Sequence, residues 1–197
     1  EAKQAQIPMG APYFQIRQRL AAINGVALSS NYVLYADMSR RAMRLIRDQI
    51  PDQEIYSIDE CFVDLSEFSA DRALVQAFKI RQRLLQCLSL PVSIGIGSTK
   101  TQAKLASEMV KQQKHILGVC DLSGTLSAER QSDMARQPVS RVWGIGHRTT
   151  QSLENAGVHT VGDLLAMPES WVRRRYSINL LRTVSELKGK DEFAFQD

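Results

Sequence analysis

The sequence contains no apolar run approaching the roughly 18–20 residues that a membrane-spanning helix needs, and no signal-peptide pattern is visible at its start. The expectation is a cytoplasmic protein with no membrane partner. Cysteine is scarce. The three present, Cys61, Cys87 and Cys120, are far apart and odd in number, which excludes a disulfide framework and a cysteine metal site and points to reduced thiols. Histidine is equally scarce, and His115, His147 and His159 read as surface residues rather than as ligands or catalytic bases. There is no repeat, no low-complexity tract and no block that reads as disordered by composition. With 197 residues, 44% hydrophobic and 23% charged, the chain can bury one good core or two modest ones. The net charge of +4 permits a polyanionic partner without proving one.

The chain opens without a methionine, at Glu1. Residues 1–6 read as the tail of a helix that Pro8, Gly10 and Pro12 break. A short helix is expected from Pro12 to Leu20 and a short strand over Gly25–Ser29. From Leu34 to Ile50, the positions of Leu34, Met38, Met43 and Ile46 fall near helical spacing, with Arg40, Arg41, Arg44 and Arg47 mostly opposite. Glu54–Leu65 is rich in β-formers. Ser69 then caps a helix over Asp71–Leu88, Pro91–Gly97 runs as a strand into a glycine, and Thr99–Gln113 is the next helix. Val119 marks one more strand. This order predicts an α+β sandwich with helices on one face of a sheet. The texture changes after Lys111, and a domain boundary is expected near 112–124.

The sharpest local signal is Tyr56-Ser57-Ile58-Asp59-Glu60-Cys61-Phe62-Val63-Asp64-Leu65. Neighbouring side chains of a regular strand point to opposite faces, so Asp59 and Glu60 share one ion only if the backbone bends beside them. The stretch therefore reads as a hairpin, Glu54–Ser57 against Cys61–Leu65, with the acids at the bend. Two carboxylates beside an apolar core need compensation. Mg²⁺ supplies it, taking one or two carboxylates plus substrate phosphates, and suits in-line phosphoryl transfer. An acidic turn that merely faces water fits the same residues. Asp64 reads as a strand-edge acid.

Gly95-Ile96-Gly97-Ser98-Thr99-Lys100-Thr101-Gln102-Ala103-Lys104 is strand, turn and helix. A helix N-terminus offers free N–H groups to phosphate. Lys100 and Lys104 share a face, where they would hold a triphosphate or simply be solvated; the spacing is not that of a Walker A loop. Further on, Trp143-Gly144-Ile145-Gly146-His147-Arg148 leads into a helix over Thr149–Ala156. Gly157 ends it, and Thr160 with Asp163 makes a capping-box pattern for the next. Gly144, Ile145 and Gly146 would present backbone amides to a phosphate such as that of DNA, with His147 and Arg148 adding to the grip and Arg173–Arg175 contributing nearby charge. A plain helical hairpin is the alternative. Trp143 reads as a packing residue.

Together these residues resemble the Y family of translesion DNA polymerases. Tyr56–Glu60 matches the Ser-x-Asp-Glu metal motif, Gly95–Ala106 the strand and helix carrying a triphosphate lysine, and Val142–Leu165 the helix-hairpin-helix of the thumb. Met9–Phe14 and Ser29–Ser39 resemble the UmuC/MucB branch, the catalytic-subunit type of DNA polymerase V, more than the DinB branch. The resemblance implies an α+β palm with an antiparallel or mixed sheet, partial fingers and an all-α thumb. Residues 1–30 would be the remainder of the fingers, 31–113 the palm, 114–190 the thumb and 191–197 the start of a linker. It implies Asp59 and Glu60 as ligands of two catalytic Mg²⁺ ions, and Lys3, Lys104 and, more weakly, Lys100 as contacts to the incoming nucleotide. Gly144–Arg148 would contact primer-template DNA. A UmuD-type subunit and a RecA filament would be partners, in SOS-type repair. The family's first metal-binding aspartate would lie upstream of Glu1 and its little finger beyond Asp197, so this stretch alone is expected to have little or no polymerase activity. A palm-type nucleotidyl cyclase and a non-catalytic DNA-binding remnant are the rival readings.

Overall fold

The computed structural model describes residues 2, 4–112, 117–124 and 127–195. The chain forms two compact units, Glu1–Asp37 and Met38–Asp197. In the first, the only complete helix among the described residues is α1 (Tyr13–Ala22), entered from Pro12, whose fixed φ suits that position. Where a helix tail is expected at the start, the described residues 2 and 4–6 form turns, and Gln6 takes a left-handed φ of 55°. The strand expected over Gly25–Ser29 does not form; that segment is unpaired coil, because a lone strand without a ladder partner has no stability of its own.

Helix α2 (Tyr32–Arg47) begins where the Asn31 side-chain oxygen accepts the Leu34 N–H at 3.0 Å. In the second unit, strands β1 (Gln53–Ile55) and β2 (Cys61–Val63) pair antiparallel, with Glu54 opposite Phe62. This is the expected hairpin with shorter strands, the first beginning one residue earlier at Gln53 and ending at Ile55, the second ending at Val63. Helix α3 (Ala70–Leu88) buries Ala73, Ala77, Ile80 and Leu84 along one stripe. Ser69 holds its N-cap position without a side-chain cap hydrogen bond, and Ser89 closes it in the left-handed conformation at φ 55°.

Strand β3 (Ile94–Gly97) is followed by α4 (Lys100–Gln112) and then β4 (Val119–Leu122), which pairs parallel to β3. The two pairings make two separate two-stranded sheets, so the α+β expectation holds with less sheet than anticipated. Helix α4 packs unusually close to β3, because Gly95 and Gly97 present no Cβ to it: a methyl at Gly95 would lie 2.0 Å from the Ala103 carbonyl oxygen.

The second half is helical: α5 (Ala128–Ala135), α6 (His147–Asn155), α7 (Val161–Ala166), α8 (Glu169–Arg175) and α9 (Ile178–Leu187). One core runs through it and back into α4 and β4, joining Leu105, Met109 and Leu122 to Leu153, Leu164 and Leu187. A smaller cluster joins Ile50, Ile80 and Leu84 beneath the hairpin. His115 lies outside the described residues.

The turn between α6 and α7 forms as its sequence predicts. Gly157 has φ 79°. The Thr160 hydroxyl accepts the Asp163 N–H at 3.1 Å, and the Asp163 carboxylate accepts the Thr160 N–H at 2.9 Å. Those bonds, the Thr160 N–H foremost, hold the Asp163 carboxyl below its ordinary range. The folded-state value is the lower one, so this contribution to stability is present above the unfolded carboxylate pKa and is lost as pH falls through the folded value. Thr160→Ala is expected to cost about 1 kcal/mol in chemical denaturation at neutral pH. Asp163→Asn should flatten the stability–pH profile below about pH 4; an unchanged acid limb would show that the box does not titrate with folding.

Candidate active site

The β1–β2 hairpin and the face of α4 build the site. Ser57, Ile58 and Asp59 form the bend, closed by the Ser57 N–H donating to the Glu60 carbonyl at 3.3 Å. The Ser57 hydroxyl donates to the Asp59 carboxylate and accepts the Asp59 N–H at 3.2 Å. This places Asp59 exposed at the tip. Glu60 reaches α4, where its Oε1 accepts from Lys104 Nζ at 2.5 Å. The bend that the sequence requires is therefore present, with the phosphate-lysine candidate against one of its two acids.

Lys100, one turn earlier on α4, also faces the hairpin. Its Nζ lies 2.5 Å from Glu54 Oε2 and 2.8 Å from the Ala194 carbonyl oxygen. The two lysines share a face, as their spacing predicts, and each meets a glutamate of the hairpin.

The helix N-terminus departs from expectation. The Thr101 N–H is not open to a phosphate: it donates to Glu186 Oε2 at 2.9 Å. Glu186 is fully buried on α9, and its other oxygen accepts the N–H groups of Glu192 and Phe193 at 3.0 and 3.1 Å. The Ser98 and Gln102 N–H groups are likewise taken, by Gln102 Oε1 and Thr99 Oγ1. A carboxylate from the far end of the chain has filled the place read as an anion site. Glu54 and Glu186 escaped the sequence reading. Glu54 had no signal beyond its strand; Glu186 had one, an acid within three residues of Thr183, Val184 and Leu187 on a buried helix face.

Aromatic rings floor the hairpin. Tyr56 stacks on Phe62 at 4.8 Å between centroids, and Trp143 contacts Tyr56, Phe62 and Phe193 at 6.1, 5.8 and 5.8 Å. Trp143 is thus a packing residue, as expected. Lys104 Nζ lies 5.6 Å from the Tyr56 ring centroid. Burial, and then the negative charge of Glu60, push the Tyr56 phenol above its ordinary range, which keeps it a protonated donor. Burial also pushes up the thiols of Cys61 and Cys120.

At the second candidate surface, Gly144 takes φ 85° and Gly146 is the N-cap of α6. The Ile145 amide is already engaged, donating to the Val142 carbonyl at 3.0 Å, and its side chain is buried. The open donors are instead those of the first turn of α6, which carries His147 and Arg148, no acidic residue and no side-chain cap. Lys3 lies outside the described residues.

Comparison with known proteins places this geometry. Over 98–100% of its length the chain superposes on DinB from Sulfolobus solfataricus with a TM-score of 0.79 at 21% identity, and on the insertion ternary complex of Dbh DNA polymerase with 0.80 at 20%. It covers 56% and 55% of those chains. The fold is the one these polymerase structures share over the matched part of their chains. Residues 1–108 match the impB/mucB/samB family model, and the chain belongs to that family. It is 41% identical to Protein UmuC of Salmonella typhimurium over 98% of its own length and 37% identical to Protein MucB of Escherichia coli over 100%. The chain spans 47% and 46% of those two relatives. DNA polymerase IV 1 of Bacillus subtilis is more distant, at 31% identity.

Proposed function

We propose that this chain is the palm and thumb part of a translesion DNA polymerase that extends a primer by nucleotidyl transfer. The observation that carries the reading is the Glu60–Lys104 contact at 2.5 Å beside Asp59, an acidic turn and a phosphate-type lysine in one place. Asp59 and Glu60 would hold Mg²⁺. The donor set is hard oxygen only, which suits that ion, and the described residues contain no cluster of three or more histidine, cysteine or carboxylate groups. Two carboxylates are what this stretch supplies; substrate phosphates complete such a site in general. When bound, the metal stabilises charge on the attacking and leaving oxygens.

The chain's own part is positioning and charge. In this structure the Lys104 ammonium neutralises Glu60. A cation taken up by Glu60 would release Lys104 to the incoming triphosphate, so one exchange of partners readies both groups. Tyr56, protonated and packed on Phe62, holds the hairpin's inner wall. Lys3 would be a second nucleotide contact and residues 1–30, 31–113, 114–190 and 191–197 the fingers, palm, thumb and linker segments. The complete protein would act in the cytoplasm, with a UmuD-type subunit and a RecA filament as partners. Among the described residues no helix is long and apolar enough to cross a membrane.

The test is primer extension with Mg²⁺ by the full-length protein. Asp59→Ala and Glu60→Ala should each abolish nucleotide addition while leaving primer-template binding intact. Extension that survives both changes rules out Asp59 and Glu60 as the metal-binding carboxylates, whereas a full-length protein that binds primer-template but extends no primer would be a DNA-binding protein without this chemistry.

The α6 end supports the DNA part of the reading. A cationic side chain at a helix N-terminus opposes the helix dipole unless an anion answers both. Arg148 stands there with His147, beside an exposed Gly146 where nothing lies within 4 Å of the place a Cβ would take. Arg148→Ala should weaken binding to all DNA sequences alike and lower the slope of log affinity against log salt by about 1. An unchanged slope would place the phosphate elsewhere.

A further inference from the structure

Lys100 and Lys104 lie one helical turn apart on α4 and each meets a hairpin glutamate, but the two pairs differ in exposure. Side-chain exposure is 11% for Lys100 and 13% for Glu54, against 15% for Lys104 and 37% for Glu60. The Lys104 pair opens on the glutamate side, where a substrate can enter. The Lys100 pair is closed on both sides.

The Lys100 ammonium is also engaged on several sides. It has three protons to donate. Glu54 takes one at 2.5 Å and the Ala194 carbonyl another at 2.8 Å, while the rings of Phe62 and Phe195 face it at 5.4 and 5.6 Å. A triphosphate would have to displace a carboxylate, a carbonyl and two aromatic faces. Glu54 stands directly opposite Phe62 in the hairpin, and Glu60 is two residues from Phe62. A tie at Glu54 therefore restrains where Glu60 falls.

We propose that Lys100 is a positioning residue and not a phosphate ligand: its ammonium clamps both the β1–β2 hairpin and segment 191–195 onto the first turn of α4, and so sets where Glu60 meets Lys104. The catalytic consequence rests on the polymerase reading; the clamp does not. Glu186 holds the same segment from beneath through the Glu192 and Phe193 amides. Segment 191–195 is thus pinned at two points, by a buried carboxylate and by Lys100. Lys100→Met keeps the aliphatic stem and removes only the charge and its donors.

The experiment compares the full-length protein with its K100M, E54Q and double variants. Amide hydrogen exchange over 53–63 and 191–195 reads the clamp, and single-nucleotide primer extension reads its effect on the reaction. K100M should speed exchange in both segments about tenfold. It should lower kcat about tenfold through a displaced carboxylate while leaving the dNTP KM within about twofold. E54Q should reproduce the loss in kcat, and the double variant should be no worse than K100M, since K100M already removes the Glu54 contact along with the one to Ala194. A dNTP KM that rises tenfold in K100M but not in E54Q would make Lys100 a phosphate ligand and overturn the proposal. Unchanged exchange in K100M would overturn it as well. If the unmodified protein extends no primer, the polymerase reading fails, and the exchange measurement still decides the clamp.

Discussion

Glu186→Ala is expected to destabilise the protein by about 2–3 kcal/mol, because it leaves the buried Thr101 N–H without an acceptor and frees two further N–H groups. Three backbone amides, those of Thr101, Glu192 and Phe193, end on this one side chain, at 2.9–3.1 Å. Glu186 is fully buried, as is Thr101, so water cannot step in at the α4 end, although Glu192 is exposed. The carboxylate also faces the positive end of α4, which compensates its charge. Glu186→Gln should recover only part of the loss. An amide side chain offers one accepting oxygen, and its NH₂ then confronts an N–H donor on the other side. Urea denaturation measures both changes. A loss below about 1 kcal/mol for the alanine variant would mean that the α4 end finds other partners. Exchange at residues 191–195 should quicken in step with the stability loss, since the same carboxylate holds that segment.

The second large effect is expected at Gly95. Its φ lies in the ordinary range, so alanine there suffers no backbone strain; the whole effect is steric. The added methyl would sit 2.0 Å from the Ala103 carbonyl oxygen, 2.4 Å from the Ser107 nitrogen and 2.9 Å from the Ala106 Cβ. Two of those atoms are backbone of α4, which cannot yield as a flexible side chain would. Relief requires α4 to move off β3, unseating Leu105, Ala106 and Met109 from the core. Overpacking of this kind costs about 3 kcal/mol or more when the obstacle is backbone, and about 6–12 °C in melting temperature for a chain of this size. A melting point within about 2 °C of the parent would show that α4 slides freely. Because Lys100 and Lys104 ride on α4, the same displacement should also loosen both lysine–glutamate pairs.

Those two positions differ in how far the sequence announced them. Gly95 and Gly97 were visible as a strand running into a helix, and their purpose followed once α4 was seen lying against β3. Glu186 was nearly silent. Its partner Thr101 lies 85 residues away in sequence, and nothing at residues 98–104 indicates that the helix N-terminus is already filled. Reading that end as a phosphate site was a sound inference from helix geometry that a distant carboxylate overruled. Ile145 is a similar case. The Gly-Ile-Gly pattern marks the turn before α6, but which of its amides remain open depends on the Val142 carbonyl. The strand expected over Gly25–Ser29 failed for a different reason: β-propensity shows what fits a ladder, not that a neighbouring strand exists to pair with.

Local chemistry, by contrast, carried over directly. The Asp59-Glu60 bend, the α4 lysine face, the Gly157 helix stop and the Thr160–Asp163 box are each set by residues within a few positions of one another, so their energetics were complete in the sequence itself. The α+β order and the kinship with polymerases followed from those same pieces in that order. Only the tertiary structure decided that Lys100 is spent on Glu54 and Ala194 while Lys104 stands at the open glutamate, and that Glu186 closes the α4 end. Hydrogen bonds and ion pairs between segments 44–94 residues apart depend on how helices and hairpin are stacked, and no local pattern encodes that distance.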